Sequence, residues 1–225
     1  MKLSIIIPVF NEAPTVKKII NLVQSQPLPK ITKEIIVIDD GSTDGSTKII
    51  KSTPNIKKVF LPVNSGKGAA IRAGLKQATG EYVLIQDADL EYSPEDIKLL
   101  LTPVFNRQAQ VVYGTRFLGP HRNMLFWHLA GNKFLSFVTN ILYNTTLSDM
   151  EVGYKLIPSS LIKSLALKEN RFGFEPEITS NILKQGLRIY EVPISYSGRE
   201  FSEGKKITWV DGLRAFYLLC KYRLA

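Results

Sequence analysis

Short apolar runs alternate with amphipathic helical patterns over the first 117 residues, and this repetition restricts the fold more than any other feature of the sequence. The apolar runs contain few polar residues, which is typical of strands covered on both faces. They span residues 3–9, 34–38, 58–61, 82–86 and 111–113. Helices are predicted between them, near residues 13–24, 44–52, 67–78 and 94–103. Repeated strand–helix–strand units predict an α/β fold with a mostly parallel sheet and right-handed crossovers.

The second half of the chain is less regular. A long helical pattern covers residues 124–143, and a final helix is predicted over residues 208–223. Two further strands are predicted over residues 152–157 and 188–193. Neither an internal repeat nor a linker interrupts the sequence, and 225 residues with 44% hydrophobic side chains suffice for one core. We therefore expect a single domain over residues 1–225.

Charge and composition exclude several classes of protein. The formal net charge of +9 favours polyanionic partners, which include nucleic acid, anionic lipid and phosphorylated substrates. The lone Cys220 excludes a disulfide framework and a cysteine-rich zinc site. The N-terminal apolar run is too short for a signal peptide. Polar residues interrupt every window of about 18–20 residues, so we expect a soluble or peripheral protein without a transmembrane helix.

Asp87-Ala88-Asp89 follows the fourth apolar run, at a predicted strand end. Ligands of parallel sheets bind beyond the carboxyl ends of the strands. Two carboxylates separated by one residue can turn toward one divalent cation, and oxygen ligands of this kind suit Mg²⁺ or Mn²⁺. Glu91 could add a third oxygen. The alternative is an exposed acidic turn that precedes a helix.

Three other polar segments could contribute to a site, and two of them allow a second, purely structural interpretation. Residues 39–46 form either a turn with a helix cap, or a site where a carboxylate accepts hydrogen bonds from a nucleotide base or ribose. Residues 64–70 lack the pattern of common phosphate-binding and dinucleotide loops, although a close backbone approach at a helix start fits them. Arg199 and Lys205 lie on a polar loop over residues 198–206. This loop is either a solvated charge run or a mobile lid that brings cations to a diphosphate.

The helical pattern over residues 124–143 carries its polar residues in one stripe. The stripe contains His128, Asn132, Ser136 and Thr139. One interpretation is a core helix with a single wet side. The other is an interfacial helix that meets lipid while the polar stripe faces the active site. The final amphipathic helix allows the same two interpretations.

Taken together, these segments resemble the family 2 glycosyltransferases of the GT-A fold. Within that family they resemble the dolichol-phosphate mannose synthase and polyprenyl-phosphate glycosyltransferase branch. The matching segments follow the family's order over residues 4–206. They are Pro-Val-Phe-Asn-Glu at 8–12, Ile-Asp-Asp-Gly-Ser-Thr-Asp at 38–44, Asn-Ser-Gly-Lys-Gly at 64–68, Asp-Ala-Asp-Leu-Glu at 87–91, Gly-Thr-Arg-Phe at 114–117, Phe-Glu-Pro-Glu at 174–177, Glu-Val-Pro-Ile at 191–194, and Arg199 with Lys205.

The resemblance implies a role for each side chain of the site. Residues 1–117 would form the nucleotide-sugar-binding half and residues 118–225 the acceptor-binding half. The residues that would contact the nucleotide sugar are Pro8, Phe10, Glu12, Asp39, Asp87, Ala88, Asp89, Arg116, Arg199 and Lys205. The residues that would hold Mg²⁺ or Mn²⁺ are Asp87, Asp89 and Glu91. The acceptor lipid phosphate would meet His128, which stands where related enzymes place a second arginine, and Asn132 one helical turn further on.

The implied reaction moves a hexose from a donor of the GDP-mannose or UDP-glucose type, with inversion, to a polyprenyl or dolichyl phosphate. Direct catalytic roles would fall to Asp89, Arg116, Arg199 and Lys205. The enzyme would be peripheral at the cytoplasmic face of the membrane, with no nucleic acid partner. A phosphate monoester, with a second pKa of about 6, needs no strong base. A sugar hydroxyl acceptor would need one, and Asp149 is the candidate. A non-catalytic nucleotide-sugar or nucleic-acid binding module is the third alternative.

Overall fold

Seven strands form one sheet in the computed structural model, which describes residues 1–122, 124–199 and 209–224. The strands are β1 (Lys2–Val9), β2 (Thr32–Asp39), β3 (Lys57–Phe60), β4 (Tyr82–Ile85), β5 (Val111–Thr115), β6 (Lys155–Pro158) and β7 (Ile189–Pro193). The α-helices are α1 (Val16–Ser25), α2 (Ser46–Ser52), α3 (Lys67–Gln77), α4 (Ile97–Phe105), α5 (Phe126–Tyr143), α6 (Ser159–Ser164), α7 (Phe174–Lys184) and α8 (Trp209–Leu224).

The strand order is β3-β2-β1-β4-β6-β5-β7. Every pairing is parallel except those of β6, which runs antiparallel to both β4 and β5. The predicted single α/β domain with a mostly parallel sheet is therefore confirmed. The chain passes from β1 to β2 on one side and later to β4 on the other side. This reversal opens a crevice at the carboxyl ends of β1, β2 and β4, where such folds bind ligands.

The five strands predicted in the first half are confirmed, with small shifts at their ends. Two predictions in the second half need correction. The strand predicted over residues 152–157 begins only at Lys155, because residues 149–153 form a loop in which Gly153 lies against Asp87. Helices α6 and α7 were not predicted. Helix α7 buries Phe174, Ile178 and Ile182 at helical spacing. The polar residues between them, such as Glu175 and Glu177, are buried as well, so the sequence shows no separate apolar and polar faces.

Helix α5 packs with its polar stripe inward, so its interpretation as a core helix with one wet side is wrong. Ser136 and Thr139 are buried, and the Ser136 hydroxyl accepts a hydrogen bond from the Met150 N–H at 3.1 Å. Large side chains on the opposite side, such as Phe137 and Ile141, are exposed. Among the described helices, none is long and apolar enough to cross a membrane.

Candidate active site

The loops after β1 and β2 are joined by hydrogen bonds at the crevice. The Asn11 N–H donates to the Ser42 hydroxyl at 2.9 Å, and the Thr43 N–H donates to the Asn11 side-chain oxygen at 2.8 Å. The Glu12 N–H donates to the Ser46 hydroxyl at 2.9 Å. Asn11 has a φ of 52°, which its short amide side chain tolerates. The end of β1, with the half-buried Pro8 and Phe10, is thereby fixed against the second loop.

Asp39 and Asp40 organise the loop after β2. Asp39 is buried and accepts hydrogen bonds from the Ser42 N–H at 3.0 Å and from the Thr47 hydroxyl. The predicted turn is thus confirmed, whereas the predicted cap by Ser42 or Asp44 is corrected: Gly45 is the N-cap of α2, without a side-chain cap, and Asp44 accepts from the Ser46 N–H at 3.0 Å. The nucleotide contact of Asp39 stays a prediction. Asp40 accepts from the N–H groups of Ser65 and Gly66 at 2.8 and 2.7 Å. Asp40 therefore ties the segment around Gly66 to the sheet edge.

The predicted metal carboxylates come together beyond β4. Leu90 adopts a φ of 65°, and the Glu91 N–H donates to Asp89 at 3.1 Å across this turn. Burial, followed by the negative charges of Asp87 and Glu91, raises the pKa of Asp89 to about 7. Ala88 between the two aspartates is buried. This group of Asp87, Asp89 and Glu91, called the acidic cluster below, strongly favours a cation.

Arg199, which lies far along the chain from β4, binds the acidic cluster. Its guanidinium lies 3.1 and 3.2 Å from the two oxygens of Glu12 and 3.2 Å from Asp89. Its backbone N–H donates to Glu91 at 2.8 Å, and the Tyr196 hydroxyl donates to the other oxygen of Glu91 at 2.9 Å. The predicted proximity of Arg199 to this site is confirmed. Lys205 lies outside the described residues, as does most of the predicted lid.

Lys67 is a second cation of the cluster, and the sequence patterns gave it no role. Its ammonium lies 2.8 and 3.0 Å from the two oxygens of Asp87 and 2.9 Å from Glu175. Burial alone would lower the pKa of Lys67, but Asp87 and Glu175 hold that pKa well above its usual value. The only sequence signal was a lysine between Gly66 and Gly68 at a strand-end loop.

The acidic cluster does not form a ready three-ligand metal site. Among residues 1–122, 124–199 and 209–224, no group of three or more His, Cys, Asp or Glu side chains is arranged to hold a metal ion. The prediction that Glu91 is a third metal ligand is corrected, because the Glu91 carboxylate accepts hydrogen bonds from Tyr196 and Arg199. Asp87 and Asp89 still fit Mg²⁺ or Mn²⁺, because they are oxygen ligands in a cluster that already binds two cationic side chains.

Arg116 and Asp149 form a buried ion pair after β5. The guanidinium donates twice to Asp149, at 2.7 Å each, and the Arg116 N–H adds a third bond at 3.0 Å. Asp149 is 0% exposed, and Glu191 accepts from its backbone N–H at 3.1 Å. A carboxylate bound in this way is a poor general base, because its lone pairs already accept hydrogen bonds. The structure therefore argues against Asp149 as the base for a hydroxyl acceptor.

The predicted acceptor residues lie in the first half of α5. The Asn132 amide donates to the His128 carbonyl at 2.8 Å, so it satisfies the backbone of its own helix. The next residue, Lys133, places its ammonium 4.2 Å from the Phe117 ring centroid. Arg116 lies 5.5 Å from the same ring. Lys133 is therefore a cation on α5 that lies near Arg116. The sequence did not indicate this position, which only the folded structure shows.

Replacing Arg199 by Met is expected to weaken donor use. The substitution leaves Glu12, Asp89 and Glu91 without their shared cation, and a diphosphate loses one positive group. Losses of this kind typically cost about 10²–10³-fold in turnover. Steady-state kinetics with the nucleotide sugar should show a raised KM together with a lowered kcat. Arg107→Met, in the turn before the amino end of β5, serves as the control. Equal kinetics of the two variants would contradict the assignment.

Comparison with known proteins identifies the family. The model of "Glycosyl transferase family 2" matches residues 4–165. A Methanococcus voltae protein, UDP-N-acetylglucosamine–dolichyl-phosphate N-acetylglucosaminyltransferase, is 29% identical over 98% of this chain and 95% of its own. A Proteus mirabilis protein, undecaprenyl-phosphate 4-deoxy-4-formamido-L-arabinose transferase, is 26% identical over 91% of this chain and 62% of its own.

Among solved structures, glucosyl-3-phosphoglycerate synthase from Mycobacterium tuberculosis superimposes with a TM-score of 0.76 at 18% identity. The match covers 98% of this chain and 79% of that chain, which was solved with Mn²⁺, UDP and glucosyl-3-phosphoglycerate. This likeness shows that the chain has the GT-A fold. The chain belongs to glycosyl transferase family 2, which confirms the resemblance seen in the sequence.

Proposed function

We propose that this enzyme transfers a sugar from a nucleotide sugar to the phosphate of a polyprenyl or dolichyl phosphate. The observation that carries the proposal is the acidic cluster beyond β4, bound by Arg199 and Lys67 and adjacent in the crevice to the loops of β1 and β2. The Methanococcus voltae and Proteus mirabilis relatives, by their names, act on dolichyl and undecaprenyl phosphates.

On the donor side, each residue has a defined task. Asp87 and Asp89 would hold Mg²⁺ or Mn²⁺, and Arg199 with Lys205 would contact the diphosphate. A bound divalent cation supplies charge neutralisation for the departing nucleoside diphosphate. Pro8, Phe10, Glu12 and Asp39 would line the nucleotide pocket. A uridine nucleotide is the first donor to test, because the Methanococcus voltae relative is named for UDP-N-acetylglucosamine and the Mycobacterium tuberculosis structure contains UDP.

On the acceptor side, the buried pair of Arg116 and Asp149 favours a phosphate over a hydroxyl. A phosphate monoester has a second pKa of about 6 and attacks as an anion at neutral pH. It needs no base, which agrees with the occupied carboxylate of Asp149. Arg116 and Lys133, which both contact the Phe117 ring, are cations that suit this anion. Attack from the face opposite the leaving group would invert the anomeric centre.

We also propose that α5 and α8 contact the cytoplasmic surface of a membrane. The two helices pack side by side, with the Phe134 and Phe216 rings stacked at 6.0 Å. Their outward surface, called the apolar face below, exposes 80% of Trp127, 65% of Ile141 and 77% of Trp209. Exposed cations on the same helices include Lys133, Lys221 and Arg223. Aromatic and basic side chains together suit an anionic bilayer surface, and a lipid acceptor resides there.

Phe137→Glu is expected to release the enzyme from vesicles without unfolding it, because Phe137 is exposed in the middle of α5. A buried phenylalanine contributes about 1.5–3 kcal/mol to apolar burial, so vesicle affinity should fall by about 10- to 100-fold. Cosedimentation with vesicles containing phosphatidylglycerol measures this. Phe105→Glu, an exposed position on α4, should bind as well as the wild type. Equal binding by both variants would contradict the assigned face.

A panel of nucleotide sugars tests the reaction. Each donor is incubated with the enzyme, Mn²⁺ and undecaprenyl or dolichyl phosphate in detergent, and release of nucleoside diphosphate is followed. We expect release from at least one UDP-sugar only when the lipid phosphate is present. Binding of donors without any release would instead support a non-catalytic binding module and overturn the proposal.

A further inference from the structure

The Phe-Glu-Pro-Glu segment that opens α7 has no task in the proposed reaction. Its Glu175 is buried, with only 4% of its surface exposed. One carboxylate oxygen lies 2.9 Å from the Lys67 ammonium. The other oxygen, Oε2, is buried and has no hydrogen-bond partner in the part of the chain that the structure describes. Buried carboxylate oxygens are normally satisfied, so this vacant acceptor needs a physical reason.

Lys67 is shared between this carboxylate and the acidic cluster. Its ammonium contacts both oxygens of Asp87 and one oxygen of Glu175. The backbone that carries it is fixed, because Gly66 and Gly68 lie against the backbone of residues 169–170, where a β-carbon would collide. Asp40 also binds the Gly66 N–H at 2.7 Å. The flexible side chain of Lys67 can therefore move while its α-carbon stays in place.

A divalent cation on Asp87 would compete with the Lys67 ammonium for the charge of the same carboxylate. Lys67 occupies two of the roughly four lone-pair sites of Asp87, so the competition is mainly electrostatic: the metal would place two more positive charges beside the ammonium. This repulsion favours movement of the ammonium away from Asp87. Glu175 already holds it at 2.9 Å and offers the vacant Oε2 as a further acceptor.

We propose that Lys67 is a resident cation that competes with the metal for Asp87 and withdraws onto Glu175 when the metal binds. This inference rests on the proposed metal-dependent function. It gives Lys67 and Glu175 positioning roles: Lys67 neutralises Asp87 in the donor-free enzyme, and Glu175 keeps the displaced ammonium buried and paired. Metal binding to the donor-free enzyme is then weak. The negative diphosphate compensates the added positive charge, so metal and donor bind with positive coupling.

The first test measures Mn²⁺ binding to the donor-free enzyme by the electron paramagnetic resonance of free Mn²⁺. Lys67→Met should increase the affinity by about tenfold or more, because it removes a competing charge in contact with Asp87. Lys76→Met, an equal charge change on the exposed end of the same helix, should leave the affinity within about twofold. An unchanged or lower affinity in Lys67→Met would overturn the inference.

The second test separates withdrawal onto Glu175 from a general charge effect. With Lys67 present, Glu175→Gln should lower Mn²⁺ affinity by about tenfold, because the ammonium loses its second anion. In the Lys67→Met background the same change should have a clearly smaller effect, since no ammonium needs a place. Equal effects of Glu175→Gln in both backgrounds would overturn the proposed movement.

Two controls separate the role of Lys67 from misfolding of a variant and from a wrong acceptor assignment. Circular dichroism and thermal unfolding establish that each variant is folded, and Lys67→Gln replaces Lys67→Met if the methionine variant is unfolded. The same increase in Mn²⁺ affinity is expected for Lys67→Gln. Mn²⁺ binding requires neither donor nor acceptor. A wrong acceptor assignment would thus appear in the transfer assay alone, whereas a wrong role for Lys67 would appear in the binding data.

Discussion

Asp89→Asn is expected to lower the rate of sugar transfer by at least about 10³-fold. Asp89 belongs to the acidic cluster and lies 3.2 Å from Arg199. The amide keeps the shape of the side chain but removes the negative charge that a divalent cation requires. The departing diphosphate then loses its main source of charge neutralisation, which we expect to outweigh the loss of any single hydrogen bond. Steady-state transfer assays with saturating Mn²⁺ measure the effect.

Glu95→Gln is the matched control for this substitution. Glu95 is an exposed carboxylate in the short 3₁₀ turn that follows the acidic cluster. Its substitution by Gln removes the same charge as Asp89→Asn at a nearby position. Its transfer rate should remain within about twofold of the wild type. A rate for Asp89→Asn within tenfold of the wild type would show that the acidic cluster does not hold a catalytic metal.

Asp149→Asn is expected to destabilise the fold by about 3–5 kcal/mol, because it leaves the buried guanidinium of Arg116 without its counter-charge. Asp149 is fully buried and Arg116 is 8% exposed, so water cannot compensate the loss. For a domain of this size the melting temperature should fall by roughly 6–20 °C. Thermal unfolding followed by circular dichroism measures the change.

The double variant Arg116→Met with Asp149→Asn controls for this effect, since it removes the uncompensated charge. It should be more stable than Asp149→Asn alone. A loss below about 1 kcal/mol in Asp149→Asn would contradict the structural role of the pair. The expected instability also means that an inactive Asp149→Asn enzyme does not identify Asp149 as a base. The identity of the acceptor must be decided from the product.

The first half of the fold could be predicted because its strands are covered on both faces. Strands β1 and β2 therefore have nearly continuous apolar sequences, and the short loops between strands and helices follow from them. Helix α7 escaped prediction because the buried Glu175 and Glu177 obscure the helical spacing of its buried apolar residues. Helix α5 was recognised as a helix, but a polar stripe does not reveal which side faces the protein.

Some residues of the candidate site could likewise be predicted from the sequence, and others could not. Asp87 and Asp89 were predictable, because a spacing of two at a strand end is a local pattern. The role of Lys67 was not, because its partner Glu175 belongs to a distant segment that only the sheet topology brings close. Asp149 was a candidate base for a hydroxyl acceptor from its sequence context, whereas its three hydrogen bonds with Arg116 exist only in the folded chain.

The linkage in the lipid product tests the central proposal most directly. The enzyme is incubated with a labelled UDP-sugar and Mn²⁺, once with undecaprenyl phosphate and once with undecaprenol. Mass spectrometry and mild acid hydrolysis then identify the product. We expect an acid-labile sugar phosphodiester from the lipid phosphate, no product from the alcohol, and no product when a chelator removes the metal. Glycosylation of the alcohol, or transfer to lipid phosphate in the chelated sample, would contradict the proposed reaction.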